Sequence, residues 1–457
     1  MMAITGFAIC IIGIIFTARL LYRNYNPQGV LITSGLLMMG IAAAIGLGDV
    51  VVAKPSGTII FDMVQIIDEG FITNLSRIGV MIMTIGGYVA FMNSIKATDA
   101  LVYLAMKPLS SFRKYPMLAA VITIPIGQVL FMTVPSAAGL GLLLVASFYP
   151  VLVNLGVSRL TALSVIAAAT IFDQGPSSAN TAMAAGLIGT TNVEYFITSQ
   201  LPVVIPTTAV VMVLYFFSNR YFDRKDIEAG KEIFAQPAAT NGKPDVPLLF
   251  SVLPMLPLVL LVVFSQYVGL FDIHLSTTAA MLFSLVVSVL LIAIYKRNFK
   301  KVMGLLEGFW KGMGSVFTTV ITLIVAAEIF AKGLNSLGFI DSLVSGSTHI
   351  GLSGVMITIV MSILIFLAAM LTGSGNAAFF SFGPLIPDVA VKLGLKSWEM
   401  ILPMQLAASM GRATSPIAGV IVAIAGVAGV SPVDVAKRNL LPLAGGLVFL
   451  QIFHFLF

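Results

Sequence analysis

Of 457 residues, only 10% are charged and 58% are hydrophobic. Soluble domains carry about a quarter charged residues, so this composition, with its mean hydropathy of +1.04, excludes them and points to a polytopic membrane protein. The net charge of +6 would suit a nucleic-acid partner only if the basic residues formed one face, and they are instead dealt out among loops; Cys10 is alone, which excludes an internal disulfide and a cysteine-based metal site.

Met1 leads straight into "GFAICIIGIIFTA", without the basic n-region or A-x-A site of a cleavable signal, so the first crossing is expected there. "VLITSGLLMMGIAAAIGLG" approaches the roughly 20 apolar residues that span a bilayer core. The amphipathic stretch "FDMVQIIDEGFITNLSRIG" follows. Residues 117–153 are two apolar arms around a polar tip, Pro135 and Ser136. Residues 159–190 form a span interrupted by Asp173, Gln174, Gly175, Pro176, Ser177, Ser178, Asn180 and Thr181. The first repeat closes at residue 217, and residues 218–246, the only long polar segment, read as a cytoplasmic linker.

Residues 247–457 repeat this order. "LPMLPLVLLVVFSQYVGLF" and "STTAAMLFSLVVSVLLIAI" lead to a second amphipathic stretch, "KVMGLLEGFWKGMG". A second hairpin at 354–387 has the tip "TGSGN", with Thr372, Ser374 and Asn376, and a second broken span at 400–429 contains Ser409, Gly411, Arg412, Thr414, Ser415 and Pro416. Ser136 lies over Ser374, Gly156 over Gly394 and Ser177 over Ser415, each 238 residues apart. Membrane helices resemble one another by composition, but here the polar breaks also coincide, which argues for an internal repeat.

Two full crossings around each tip would strand a polar point in the wrong place. A re-entrant hairpin stops it near the midplane, where irregular backbone is tolerated if buried in protein or lining a watery cavity. The expected fold is therefore an all-α membrane protein with an inverted-topology repeat, five crossings plus one re-entrant hairpin per half, and broken helices at the midplane. Residues 1–95 and 247–334 would supply the scaffold. With the N-terminus outside, most of the 25 Lys and Arg residues face the cytoplasm; Lys54, Arg77, Lys332, Lys392 and Lys396 fall outside and both termini are periplasmic. The first hairpin then enters from the cytoplasm and the second from outside.

Arg412 belongs to neither side. A charge at a helix centre costs about 2.5 to 3.5 kcal/mol on insertion scales, and its guanidinium fork matches a carboxylate, so an anionic substrate is expected. The alternative is an internal ion pair with Asp173 or Glu328. Gly and Pro at the breaks free carbonyls for a cation and N–H groups for an anion, while a lone Ser or Thr there can simply bond its own backbone. The substrate-binding candidates are Ser136, Ser177, Ser178, Asn180, Thr181, Ser374, Asn376, Arg412, Thr414 and Ser415. Asp173 is the candidate coupling group, with Na+ or H+ as its ion; no cofactor and no resident metal is expected.

"TGSGNAAFFSFGPLIP", "MGRATSPIAGVIVAIAGVAGVSP" followed by "VAKRN", and "IFAKGLNSLGFIDSL" resemble the DcuC family of anaerobic four-carbon dicarboxylate transporters, within the ion transporter superfamily, over nearly the whole chain. The resemblance implies exchange or uptake of fumarate, succinate, malate or aspartate in the bacterial inner membrane. More distantly the tips are similar to the Ser-Asn-Thr hairpins of divalent anion sodium symporters, which implies a homodimer working as an elevator, although Ala137 and Ala138 stand after Ser136. No H-E-x-x-H or G-x-x-x-x-G-K-[ST] occurs, which argues against an enzyme and a primary pump; His274, His349 and His454 sit at span ends. The remaining alternatives are a carrier for citrate, a monocarboxylate or an acyl amino acid, and an anion channel.

Overall fold

The computed structural model describes residues 2–23, 25–48, 52–234, 244–265, 268, 273, 275–349 and 352–456. Among these, every regular element is helical and nine helices are long and apolar enough to cross a membrane. The fold is an all-helical membrane protein, and the expected segments appear in order. His274 and most of the linker after residue 234 lie outside the described residues.

The two amphipathic stretches begin long helical segments. Residues 59–94 and 299–336 contain π-turns at Leu75–Gly79 and Phe317–Ile321 respectively, and the second has a further break at Leu306. Residue 96 and residue 338 end these helices alike: Lys96 has φ 60° and Gly338 has φ 75°, both left-handed. The last helix of the first half also runs further than its sequence suggested. It continues to Glu228, so residues 218–228 are helix rather than linker. Four of their charges are paired: Arg224 with Glu228 at 2.8 Å, and Asp226, at 2.6 Å, and Asp223 with buried Arg438.

Residues 116–154 and 354–392 each form two helical arms joined at a short break. The first has arms Pro116–Thr133 and Ala137–Asn154, the second Gly354–Thr372 and Gly375–Phe382, the latter continued through a 3-10 turn to Lys392. Proline starts the first arm at Pro116, where its missing N–H has no helical partner to lose. Ser136 and Ser374 cap the return arms. Gly156 and Gly394 end them with φ 91° and 71°, a conformation that suits glycine because it has no Cβ.

The helices sort into two packed groups. Met2–Tyr22, Pro27–Ala44, 59–94, Thr277–Lys296 and 299–336 pack on one another, while the hairpins, both broken helices and the final helix of each half form the second group. Glycine sets the closest approach in the first group: a Cβ on Gly35 would lie 2.5 Å from the Ile329 carbonyl oxygen, and one on Gly333 would lie 2.5 Å from that of Gly35. Thr322–Ser336 carries most of the contact between groups, lying on Gly375–Phe382, with buried apolar side chains such as Phe330 and Phe379 on the two helices.

Candidate functional site

The first broken span is Arg159–Ala168, an irregular stretch, and Ala179–Ile188. Gly175 turns the chain with φ 94°, and Ser178 caps the second half-helix by accepting from the N–H groups of Asn180 and Thr181. The hydroxyl of Ser178 donates to Asp173 Oδ1 at 2.6 Å, and Asn180 Nδ2 donates to Oδ2 at 3.0 Å. Asp173 is 6% exposed, so both its oxygens are satisfied inside the protein. Ser178 and Asn180 thus hold Asp173 in this conformation, while Asn180 Oδ1 and Gln174 Oε1 are buried without a partner. Ser177 is buried beside them.

The second broken span is Ser397–Ala413 followed by Gly419–Ala428. Arg412 closes its first half and is 9% exposed. The guanidinium donates to the Thr170 carbonyl, just past the end of Arg159–Ala168, and its carbon lies 5.8 Å from the Phe131 ring centroid of the first hairpin. A cation there complements the negative end of a half-helix and the face of a ring. Arg412 forms no ion pair with Asp173, and Glu328 is engaged elsewhere, by Lys332 at 3.2 Å and Asn74 at 2.6 Å. Direct contact with either carboxylate is therefore absent, although the charges of Asp173 and Arg412 act on each other across the junction. Arg412 Nε is left buried and unbonded.

Thr414 donates to the Gly411 carbonyl, the ordinary backbone bond of a membrane threonine. Ser415 Oγ accepts weakly from Ile417 N at 3.4 Å, and Thr181 exchanges hydrogen bonds with Gln200. Unlike the first, the second downstream half-helix has no side-chain cap: Ala418 occupies the N-cap position. Gly419 at its first turn is exposed.

All four breaks meet. A Cβ on Gly175 would lie 3.0 Å from Met132 of the first tip, and one on Gly419 would lie 3.9 Å from the Ala138 methyl. On the other side, a Cβ on Gly373 would sit 3.1 Å from the Ala418 backbone, and one on Gly375 2.9 Å from the Ala408 carbonyl oxygen. The tips remain accessible while the breaks are enclosed. Ser136 is exposed, Ser374 and Asn376 are half-buried, and the Asn376 amide makes no hydrogen bond among the described residues.

Sequence reasoning missed the glutamines that tie the breaks together. Gln405 Nε2 donates to the Asp173 carbonyl at 3.1 Å, and Tyr195 donates to Gln405 Oε1 at 2.8 Å. Gln200 Oε1 accepts from Gly175 N at 3.1 Å. Gln405 precedes Arg412 by two helical turns and so shares its face, the one sequence signal that could have found it.

A helical bundle crossing the membrane and enclosing a junction of buried polar breaks is the architecture of a membrane transporter. Known proteins make the class specific. Residues 6–456 match the family model described as "DcuC: C4-dicarboxylate anaerobic carrier". The Escherichia coli K12 protein named anaerobic C4-dicarboxylate transporter DcuC is 32% identical over 97% of this chain and 94% of its own. A Vibrio cholerae protein named probable anaerobic C4-dicarboxylate transporter DcuC is 32% identical over 96% and 95%. The chain belongs to the DcuC family. Its fold is similar to that of the Neisseria gonorrhoeae protein MtrF, titled as illuminating a class of antimetabolite efflux pumps, with TM-score 0.66, 13% identity and coverage of 94% and 96%. The Alcanivorax borkumensis YdaH transporter gives TM-score 0.58 at 15% identity, covering 94% and 98%.

Proposed function

We propose that the chain carries four-carbon dicarboxylates, fumarate and succinate foremost with malate and aspartate as further substrates, across the bacterial inner membrane. The observation that carries this reading is the junction of breaks: the uncapped N-terminus of Gly419–Ala428 lies beside the first hairpin tip, with Arg412 seven residues before Gly419. Free N–H groups and the positive end of a half-helix favour a carboxylate. The second carboxylate falls to the other tip, where Ser374 and the unbonded Asn376 amide are accessible. Ser136 and Ser177 complete the set; Ser178 and Asn180 act on the substrate through Asp173 or after releasing it, with Thr181, Thr414 and Ser415 shaping the breaks.

In this reading the halves are inverted repeats, the hairpins are re-entrant, and the second packed group slides as an elevator against a dimeric scaffold. The matched left-handed residues 96/338 and 156/394 support the repeat. Exposed Phe283, Val286, Leu290 and Ile294 on Thr277–Lys296 provide an apolar stripe for the dimer contact. A dianion entering against a negative interior is opposed by about 4.6 kcal/mol per 100 mV, twice the single-charge value. Exchange of one dianion for another removes that opposition, so fumarate/succinate antiport is preferred, with Na+ or H+ symport through Asp173 as the second mode. Liposomes preloaded with succinate should take up labelled fumarate faster than empty ones. No acceleration together with strict sodium dependence rejects antiport, and equal uptake of citrate or a monocarboxylate rejects the substrate class.

A further inference from the structure

The second hairpin stands between two different surfaces. On one side its tip is flush with the second broken span: a Cβ on Gly375 would lie 2.9 Å from the Ala408 carbonyl oxygen and 3.4 Å from Ser409 Cα, and Ser409 is 1% exposed under this cover. On the other side lies a cavity of about 770 Å³, bounded by the Met2–Tyr22 helix, the Phe339–His349 helix and both arms of the hairpin. Ala377, Ala378, Ser381 and Phe382, which share one helix face, are the return arm's lining. Close packing leaves few voids larger than a water molecule, so a space of this size directly behind a sealed polar junction is out of the ordinary. No charged side chain lines it among the described residues, and at its mouth Ile11, Val360 and Leu364 are exposed on apolar helices, so the solvent there is lipid.

The first hairpin has a matching space. A cavity of about 530 Å³ is lined by Ile126, Val129 and Leu130 of its outgoing arm, together with residues of Ala97–Met106 and of 248–263. Each cavity is thus bounded by a hairpin, the short helix that precedes it in the chain and the first helical segment of the opposite half. A chance void would not recur with the halves exchanged. Both hairpins are also weakened where a pivot would be needed. The three lining residues of the first all lie tipward of Pro125, which takes a hydrogen bond out of the arm, and the four of the second return arm all lie tipward of the 3-10 turn Gly383–Leu385. Only the larger cavity extends to a tip, at Thr372, so the second hairpin has the freer path.

We propose that the second hairpin is a gate, its tip half pivoting at Gly383–Leu385 out of the junction of breaks and into the apolar cavity behind it, with the first hairpin and its smaller cavity as the counterpart. Resting on the transport reading above, this movement uncovers the second break and the uncapped start of Gly419–Ala428 to substrate. The lipid tails that the tip displaces are as apolar as the side chains that replace them, so entering the cavity costs little. What holds the gate shut is the flush packing of Gly373 and Gly375 on the break.

Thiol labelling tests the gate. Ser409→Cys places a thiol under the closed tip, and the one other cysteine, Cys10, is buried. In the full-length protein in lipid nanodiscs, where both faces are accessible, a charged maleimide should label position 409. Adding Ala18→Trp, which fills the cavity from the first helix, should slow that labelling roughly tenfold, because the open tip is then overpacked against the indole. Phe16→Trp, on the same helix but outside the cavity lining, should leave the rate unchanged. Both positions are exposed, so both variants should melt with the parent. Fumarate/succinate exchange in liposomes should fall together with labelling in Ala18→Trp. Equal labelling rates in the two tryptophan variants overturn the gate, as does an unlabelled position 409 in a chain that transports, or loss of exchange in Ala18→Trp with labelling undiminished. Labelling that follows cavity filling in a chain that carries neither fumarate nor succinate upholds the gate and removes the substrate reading instead.

Discussion

Ser136 and Ser374, 238 residues apart, cap the return arms of the two hairpins in the same geometry. Their φ/ψ values are −131°/105° and −128°/107°, and each side chain accepts from the backbone N–H three residues on. An N-cap serine replaced by alanine costs about 1 kcal/mol. Ser136→Ala and Ser374→Ala should therefore each lower thermal stability in detergent by a similar small amount. Substrate affinity should fall more for Ser374→Ala, because Ser374 shares its tip with the free Asn376 amide. Equal affinity losses would show that the caps act only on helix stability.

Arg412→Ala removes a buried charge-assisted donor, a change of about 1.5 to 3 kcal/mol, so fumarate affinity should fall roughly tenfold to a hundredfold. Arg412→Lys should recover only part of it, because a point charge cannot reproduce the fork against Thr170 and the stacking on Phe131. Since Arg412 and Asp173 form no ion pair, adding Asp173→Ala should not restore binding. Isothermal titration of the two single alanine variants and the double measures this, and recovery in the double would remove Arg412 from the substrate site.

Asp173→Asn keeps the shape of the buried carboxylate and removes its charge. The Asn180 side chain has an unpartnered Oδ1 and can turn its amide to meet the new donor, so folding should change by about 1 kcal/mol or less. Fumarate/succinate counterflow should persist while any cation-driven net uptake is lost. Counterflow and net uptake measured side by side in one liposome preparation distinguish these outcomes; loss of both would make Asp173 part of the substrate site.

Two glycines should respond very differently to alanine. A Cβ on Gly411 would lie 2.2 Å from the Phe366 carbonyl oxygen, backbone that cannot move without parting the second hairpin from the second broken span. Gly411→Ala should abolish transport and lower expression. Gly394 has open space around it and only its left-handed φ of 71°, so Gly394→Ala should cost about 1 to 2 kcal/mol and leave exchange intact.

Arg438 is 2% exposed as a side chain and joins the last helix of the second half to Asp223 and Asp226 on that of the first, with Thr161 Oγ1 at 2.9 Å. Breaking a buried pair from one side typically costs about 3 to 5 kcal/mol. With both carboxylates 15–16% exposed, Arg438→Ala should fall at or below the lower end, about 3 kcal/mol, read as a drop in the unfolding midpoint. Asp434→Asn, which is in no such pair, should shift it by far less.

Composition and the placement of polar breaks determined much of this protein. Apolar runs define membrane helices because the bilayer core leaves backbone groups no partner but their own chain, and Gly, Pro and Ser interrupt those runs where helices end. The fixed charge of Arg412 announced itself because residues 400–429 contain no other charged side chain. Tertiary structure alone decided where that charge goes: onto a half-helix end and a ring of the first repeat, rather than onto Asp173 or Glu328. It also decided that Ser178 and Asn180 hold Asp173, and that Gln405 and Gln200 tie the breaks together. Sequence could not give these partners, because a buried donor takes whichever acceptor the packing brings near, and residues 242 apart, such as Thr170 and Arg412, meet only once the helices have packed. The helix running on to Glu228 has the same cause: its charges read as a solvated linker until Arg438 arrives from the other half to pair with them.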